Sequence, residues 1–303
     1  MPSVSSVEQA SSTLAAAHAE GQRIRIGVDL TTDGLTRVLE HDPGDLTCTV
    51  ESGVRLSVLR EALAGAGQRL SLDPPGDPTV GALLARNVSG PLRHRFGAPR
   101  DLVLGVTLVL GDGTIANAGG KVVKNVAGYD LARLVCGSEG RLAFVARASF
   151  RLHPLPKAAR TLLVETSNAA HDVAALLRSQ LQPSALDVLH PGRVAVLFEG
   201  SERAVAAQVD AARALVGGEE SAASVWDESR DRQGAAPGRV RFAPGELEST
   251  LASLGQAIVR PAAGIAYTRE RNASYRHVQA EIISHNLVTD RIKRELDPRG
   301  TLS

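Results

Sequence analysis

The sequence predicts an α+β protein of two domains, 1–156 and 157–303, and three observations carry the prediction. The run from Gly119 to Pro154 sets backbone-exposing glycines beside a short helical pattern and a long apolar strand. Residues 102–110 form an apolar strand pattern closed by Gly111-Asp112-Gly113, a strong hairpin signal. His153-Pro154-Leu155-Pro156-Lys157 then interrupts the pattern. Beyond it strand, helix, strand, strand and helix follow in the order of a ferredoxin-like sheet with helices on one face.

Along the first domain, 5–20 has amphipathic helical spacing, 24–27 and 46–50 read as strands, and 54–65 as a helix. Pro74-Pro75-Gly76-Asp77-Pro78-Thr79-Val80-Gly81 is too rich in Pro and Gly for regular structure and leads into a short helix near 79–86. Asn87-Val88-Ser89-Gly90-Pro91 is another turn, and the strand at 102–110 pairs with 114–118. Asp130 is placed to N-cap a helix at 130–136 that stops at Gly137, before a strand at 142–151. In the second domain, 161–165, 185–189 and 194–198 read as strands, and 168–180 and 201–215 as helices. Residues 229–238 read as a polar, mobile loop.

Composition narrows the function classes. Lys+Arg 34 against Asp+Glu 33 leaves a formal charge of +1, which is no electrostatic footprint for nucleic acid or an anionic membrane. No apolar run approaches the roughly 20 residues of a membrane span, and the N-terminus lacks a basic leader region, so cytoplasmic residence is expected. The two cysteines, Cys48 and Cys136, are too few for an iron–sulfur cluster and read as core thiols. No HExxH or HxH pattern marks a metal site, and neither a GxGxxG after a strand nor a complete P-loop is present.

Two Gly-rich loops, each abutting a core strand, outline a walled site. Gly137-Ser138-Glu139-Gly140 reads either as a tight connection or as backbone N–H groups open to a phosphate or an electron-rich ring. The Pro74–Gly81 loop delivers a helix start beside further backbone donors.

At these residues the chain resembles a known family. The linked order PTVG, RNVSG, RFGAPRDLVLGVTLVLGDGT and GGKVVKNVAGYDLARLVCGSEGRLAFV is similar to the FAD-binding domain of the vanillyl-alcohol-oxidase or PCMH type, and most like the FAD-binding small subunit of glycolate oxidase. The resemblance covers most of 5–155. It continues more faintly through Arg239–Gly245, Arg260–Ile265 and Arg294–Gly300. It implies a two-subdomain FAD-binding domain followed by a ferredoxin-like cap, with FAD held non-covalently. By the same transfer Pro78, Thr79, Val80, Gly81, Asn87, Ser89 and Gly90 line the flavin and pyrophosphate. Gly137, Ser138, Glu139, Gly140 and Val145 approach the ring, ribityl chain or adenosine, while Lys121, Lys124, Asn125 and Tyr129 mark the subfamily. A small 2-hydroxy acid is the implied substrate, and a larger flavoprotein and an iron–sulfur subunit are the implied partners.

One departure from the family stands out. Members follow the first strand with a Gly-rich pyrophosphate loop, whereas here Ile24-Arg25-Ile26-Gly27 runs directly into Val28-Asp29-Leu30-Thr31-Thr32-Asp33-Gly34. Gly27 alone cannot supply a row of N–H groups, and Arg23 or Arg25 would serve only if turned inward. No catalytic base stands out. Arg241, Arg260, Arg269 and Tyr267 read either as a carboxylate pocket or as solvated charges at strand edges. Two functions remain open: an FAD-dependent oxidoreductase acting on CH–OH groups, or a flavin-free structural or regulatory subunit of such a complex.

Overall fold

A computed structural model describes residues 3–120, 130–270 and 290–303. Helix α1 (Val7–Ala19) starts at Ser6, whose hydroxyl accepts from the Gln9 N–H as an N-cap. It buries Leu14 against Val109 and Phe144, in a cluster that also holds Leu30, Leu35 and Leu302. Each such fully buried side chain stabilises the fold by roughly 1.5–3 kcal/mol.

The first sheet is antiparallel and five-stranded. Its strands β1 (Val38–Asp42), β2 (Thr47–Glu51), β4 (Val103–Val109), β5 (Ile115–Gly119) and β6 (Phe144–Arg151) lie in the order β1-β2-β6-β4-β5. Strand β6 is central and covered on both faces, which is why Leu142 to Ala146 is apolar without alternation. The β4–β5 hairpin closes where Gly111-Asp112-Gly113 predicts, with Thr114 N–H donating to Asp112 Oδ1 and Gly113 at φ +87°. Helices α2 (Leu56–Ala64), α3 (Val80–Arg86), α4 (Arg93–Phe96), α5 (Pro99–Leu102) and α6 (Leu131–Leu134) and the two-residue strands β3 (Gln68–Arg69) and β7 (His153–Pro154) complete this part.

The second sheet contains β8 (Ala158–Glu165), β9 (Ala185–His190), β10 (Arg193–Gly200), β11 (Glu219–Ser221), β12 (Gly238–Arg241), β13 (Ala257–Arg260) and β14 (Ile265–Thr268). Helices α7 (Ala169–Arg178) and α8 (Glu202–Val216) make the two crossovers. The order β11-β8-β10-β9 is the fourth-first-third-second arrangement of a ferredoxin-like βαββαβ unit, and β13-β14-β12 extends it past β9. Arg69 of β3 joins this sheet to the first part through a bidentate ion pair with Glu199 of β10, at 2.7 and 2.6 Å.

Three local expectations are corrected. Residues 24–27 form no strand; Ile24 and Ile26 make only single bridges, to Leu302 and Leu30, because the partner of Ile24 is the C-terminal segment rather than a neighbouring strand. Strand β1 went unpredicted because its pattern of burial lacks alternation and its pairing with β2 shifts register between Val38 and Glu40. Residues 229–234, expected as a mobile loop, end helix α9 (Ser224–Gly234), followed by α10 (Leu247–Ser253). The inward positions of α9 include Ser229 and Gln233, so hydropathy shows no helical period there. Residues 290–296 are helical and lead to Asp297, which accepts from the Thr301 and Leu302 N–H groups at 2.8 Å each.

Candidate functional site

A cavity of about 610 Å³ lies between the turn at 26–33, helix α3 and the loop and strand at 138–145. That volume is within the range of small-molecule and cofactor sites. Helix α3 is fixed at its start by Thr79, whose hydroxyl accepts from Ala82 N–H at 3.3 Å. Val80 N–H donates to Val54 O and Gly81 N–H to Ser52 O, stitching the helix to the end of β2. Gly81 lies so close to Ser52 that a Cβ would sit 3.2 Å from its atoms.

The far end of α3 explains the second Gly-rich loop. Gly137 N–H donates to Leu84 O and Glu139 N–H to Ala85 O, both at 2.9 Å, so this loop satisfies carbonyls at the helix terminus. Ser138 N–H donates to Val135 O. Three of the four N–H groups in GSEG are therefore engaged with protein, and the loop presents its edge to the cavity rather than a row of donors. Gly140, at φ +79°, lies so close to Ile26 that an added Cβ would fall 2.8 Å from it.

Of the residues expected to contact a cofactor, Thr79, Gly81, Ser138, Glu139, Gly140 and Val145 are on the cavity wall. Val80 is in the core beneath it, and Pro78 accepts from Leu56 N–H behind it. Gly137 packs against Asn87, the left-handed C-cap of α3 at φ 48°. Ser89 and Gly90 lie on the chain leaving that cap, both buried. Lys121, Lys124, Asn125 and Tyr129 fall outside the described residues.

The opposite wall is closed upon itself. Val28, Asp29 and Leu30 all direct their N–H groups to Arg25 O, and Gly27 N–H donates to Leu30 O. Arg25 is held outward in a bidentate pair with Asp29, both N···O distances 2.8 Å, and this guanidinium holds the Asp29 carboxyl down at about 2. Charged side chains on the wall are Asp33, Glu139 and Arg86. In size and exposed backbone the cavity suits a flavin nucleotide; for the pyrophosphate it has Arg86 and no cradle of N–H groups on this turn.

The arginines of the second sheet separate clearly. Arg260 is neither a substrate clamp nor a solvated edge charge: it is buried, ion-paired to the fully buried Asp187 at 3.4 Å, with its guanidinium 5.1 Å above the Tyr267 ring. Arg241 and Arg269 are exposed. Cys48 and Cys136 are free thiols, each pushed up to about 12 by burial. Sequence reasoning missed Asp73, whose carboxyl burial pushes up to about 7 while Arg260 and Arg230 pull it back. No helix among the described residues is long and apolar enough to cross a membrane.

Comparisons with known proteins agree with this architecture. Residues 4–119 match the FAD binding domain family. The glycolate oxidase subunit GlcE of Escherichia coli is 36% identical over 201 residues, 65% of this chain and 56% of that subunit. The glycolate oxidase subunit GlcD of Bacillus subtilis is 36% identical over 168 residues, 54% of this chain and 36% of that one. The match thus spans little more than half of the first relative and about a third of the second. Among solved structures, alkyldihydroxyacetonephosphate synthase superposes with a TM-score of 0.73 at 16% identity, covering 99% of this chain and 74% of the other. The resemblance is borne out in that residues 4–119, which hold PTVG and RNVSG, match the FAD binding domain family, and the chain shares its fold with that synthase.

Proposed function

We propose that this chain binds FAD non-covalently in the cavity beside α3 and works as a glycolate-oxidase-like subunit, acting on or passing electrons from a small 2-hydroxy acid. The observation that supports this reading is the cofactor-sized cavity with Thr79, Gly81, Ser138, Gly140 and Val145 on its wall, in a chain whose residues 4–119 match the FAD binding domain family. FAD, when bound, supplies an acceptor for the hydride of a CH–OH group. The chain's own residues bind and orient it: the α3 wall and the 138–145 wall sandwich the nucleotide, and the 87–90 loop leads from them toward the second sheet. The turn at 24–34 has neither His nor Cys to bond a flavin covalently. Named subunits of glycolate oxidase among the relatives support a place in a multi-subunit complex, in which a larger flavoprotein and an iron–sulfur subunit, in the cytoplasm, are the partners this reading proposes.

A second reading has its own observation. Because the N–H groups of 28–30 converge on Arg25 O, the turn offers a pyrophosphate no cradle, as expected of a flavin-free structural or regulatory subunit. The visible spectrum of the purified chain, before and after incubation with FAD and desalting, separates the two. Stoichiometric flavin bands support the first reading, and a chain that stays colourless overturns it in favour of the second.

A further inference from the structure

We propose that α9 is a clasp through which the second sheet sets the position of the loop leaving α3, with Gln233 and Arg260 as positioning residues for the Ser89–Gly90 peptide. The inference rests on the FAD reading above for its functional half, since that reading seats the nucleotide against α3, whose C-cap Asn87 leads directly into this loop.

Ser89 O is buried and accepts from two side chains of the other part of the molecule, Gln233 Nε2 at 2.9 Å and Arg260 NH1 at 3.2 Å. Gln233 Oε1 in turn accepts from Arg260 NH2 at 2.7 Å, closing a ring of three hydrogen bonds. Asp187 balances the Arg260 charge and accepts from Ser229 Oγ at 2.6 Å. Arg230, next to Ser229 on α9, reaches the other side of the same loop. Its NH1 lies 3.5 Å from Asp73 Oδ2, while Asp73 Oδ1 accepts from Leu92 N–H at 3.0 Å. Gly90 presses on Asp73 so closely that a Cβ would fall 1.7 Å from Asp73 O.

A buried ionic cluster is a weak device for stability alone, because apolar residues of the same volume serve that end as well or better. What apolar residues cannot do is fix a carbonyl's direction. In a planar trans peptide the Gly90 N–H is antiparallel to the Ser89 carbonyl, so holding Ser89 O also aims that N–H. A guanidinium on the carbonyl further polarises the peptide and strengthens its N–H as a donor. The clasp thus fixes the peptide that continues α3 away from the cavity wall, and with it the end of that helix.

Gln233→Glu tests this in the full chain, because it keeps an acceptor for Arg260 and replaces the donor that faces Ser89 O. Glu228→Gln is the control on the opposite face of α9, where Glu228 pairs with Arg193 and Arg232. Two readouts are taken: hydrogen exchange of the 88–92 amides without cofactor, and FAD titration with the visible spectrum of the complex. In Gln233→Glu we expect exchange about tenfold faster, FAD held about tenfold more weakly and a shifted flavin spectrum, consistent with losing a charge-assisted hydrogen bond. Glu228→Gln leaves all three unchanged. Unaltered exchange in Gln233→Glu overturns the clasp. Faster exchange with unaltered FAD affinity and spectrum overturns its positioning role. Should the wild-type chain take up no FAD, the functional reading and the flavin half fall together, and exchange alone still judges the clasp. If Gln233→Glu does not fold, Gln233→Met is read by the same criteria.

Discussion

The turn on the cavity wall and the loop that leaves helix α3 are held in opposite ways. The turn at 25–30 is satisfied locally: its N–H groups bond within the turn and its arginine pairs four residues away. In the loop at 87–92 the Ser89 carbonyl is satisfied from a distance, by Gln233 and Arg260 across more than a hundred residues of chain. The first arrangement leaves nothing to offer a ligand and needs nothing from the rest of the fold. The second leaves the loop dependent on the opposite sheet. Where a backbone finds its partners therefore decides whether a loop is autonomous or controlled.

The sharpest way to break the comparison is Arg260→Met. It leaves Asp187 buried and unpaired, and chemical denaturation should show a loss of about 3–5 kcal/mol. Next comes Gly90→Ala, which drives a Cβ into the Asp73 carbonyl, where neither backbone can yield cheaply; a loss of about 3 kcal/mol is expected, measured the same way.

Asp73 adds a pH dependence to the controlled loop. Its carboxyl is raised from 3.8 to about 7 by burial, so the folded chain favours the protonated form. The associated stability is complete below the unfolded value and is lost as pH rises through about 7. At about 1.4 kcal/mol per pKa unit this amounts to about 3 kcal/mol between pH 5 and 8. Denaturation at several pH values should show the decline in the wild type and a flatter profile in Asp73→Asn. The smallest effect belongs to the autonomous turn: Gly27→Ala meets open space and costs only the left-handed φ of +85°, about 1 kcal/mol. A loss in Gly27→Ala equal to that in Gly90→Ala would erase the distinction between the loops.

Much of this was legible in the sequence. The PTVG and GSEG loops do flank one cavity, the Gly111-Asp112-Gly113 hairpin is where it should be, and the ferredoxin-like order follows from the strand and helix sequence past Pro156. Self-contained signals of this kind act over a few residues. The clasp was not legible, because Ser229 and Gln233 are polar residues buried against polar partners and hydropathy scores them as surface. Arg260 misled for the same reason: its partner Asp187 is distant in sequence, and nothing near Arg260 announces a buried ion. The short strand β1 and the unpaired 24–27 segment depend likewise on what lies across from them.

The C-terminal segment has a consequence for how the chain comes together during synthesis. Ile24 N–H donates to Thr301 O, Ser303 N–H donates to Ile24 O, and Leu302 is packed among the residues that seat α1. The strip of chain that enters the cavity wall at Ile26 is thus braced by residues synthesised long after it. Earlier parts of the first sheet can pair as they emerge, but the mouth of the cavity is finished only after translation has passed Leu302, and a nascent chain presents that wall unbraced until then.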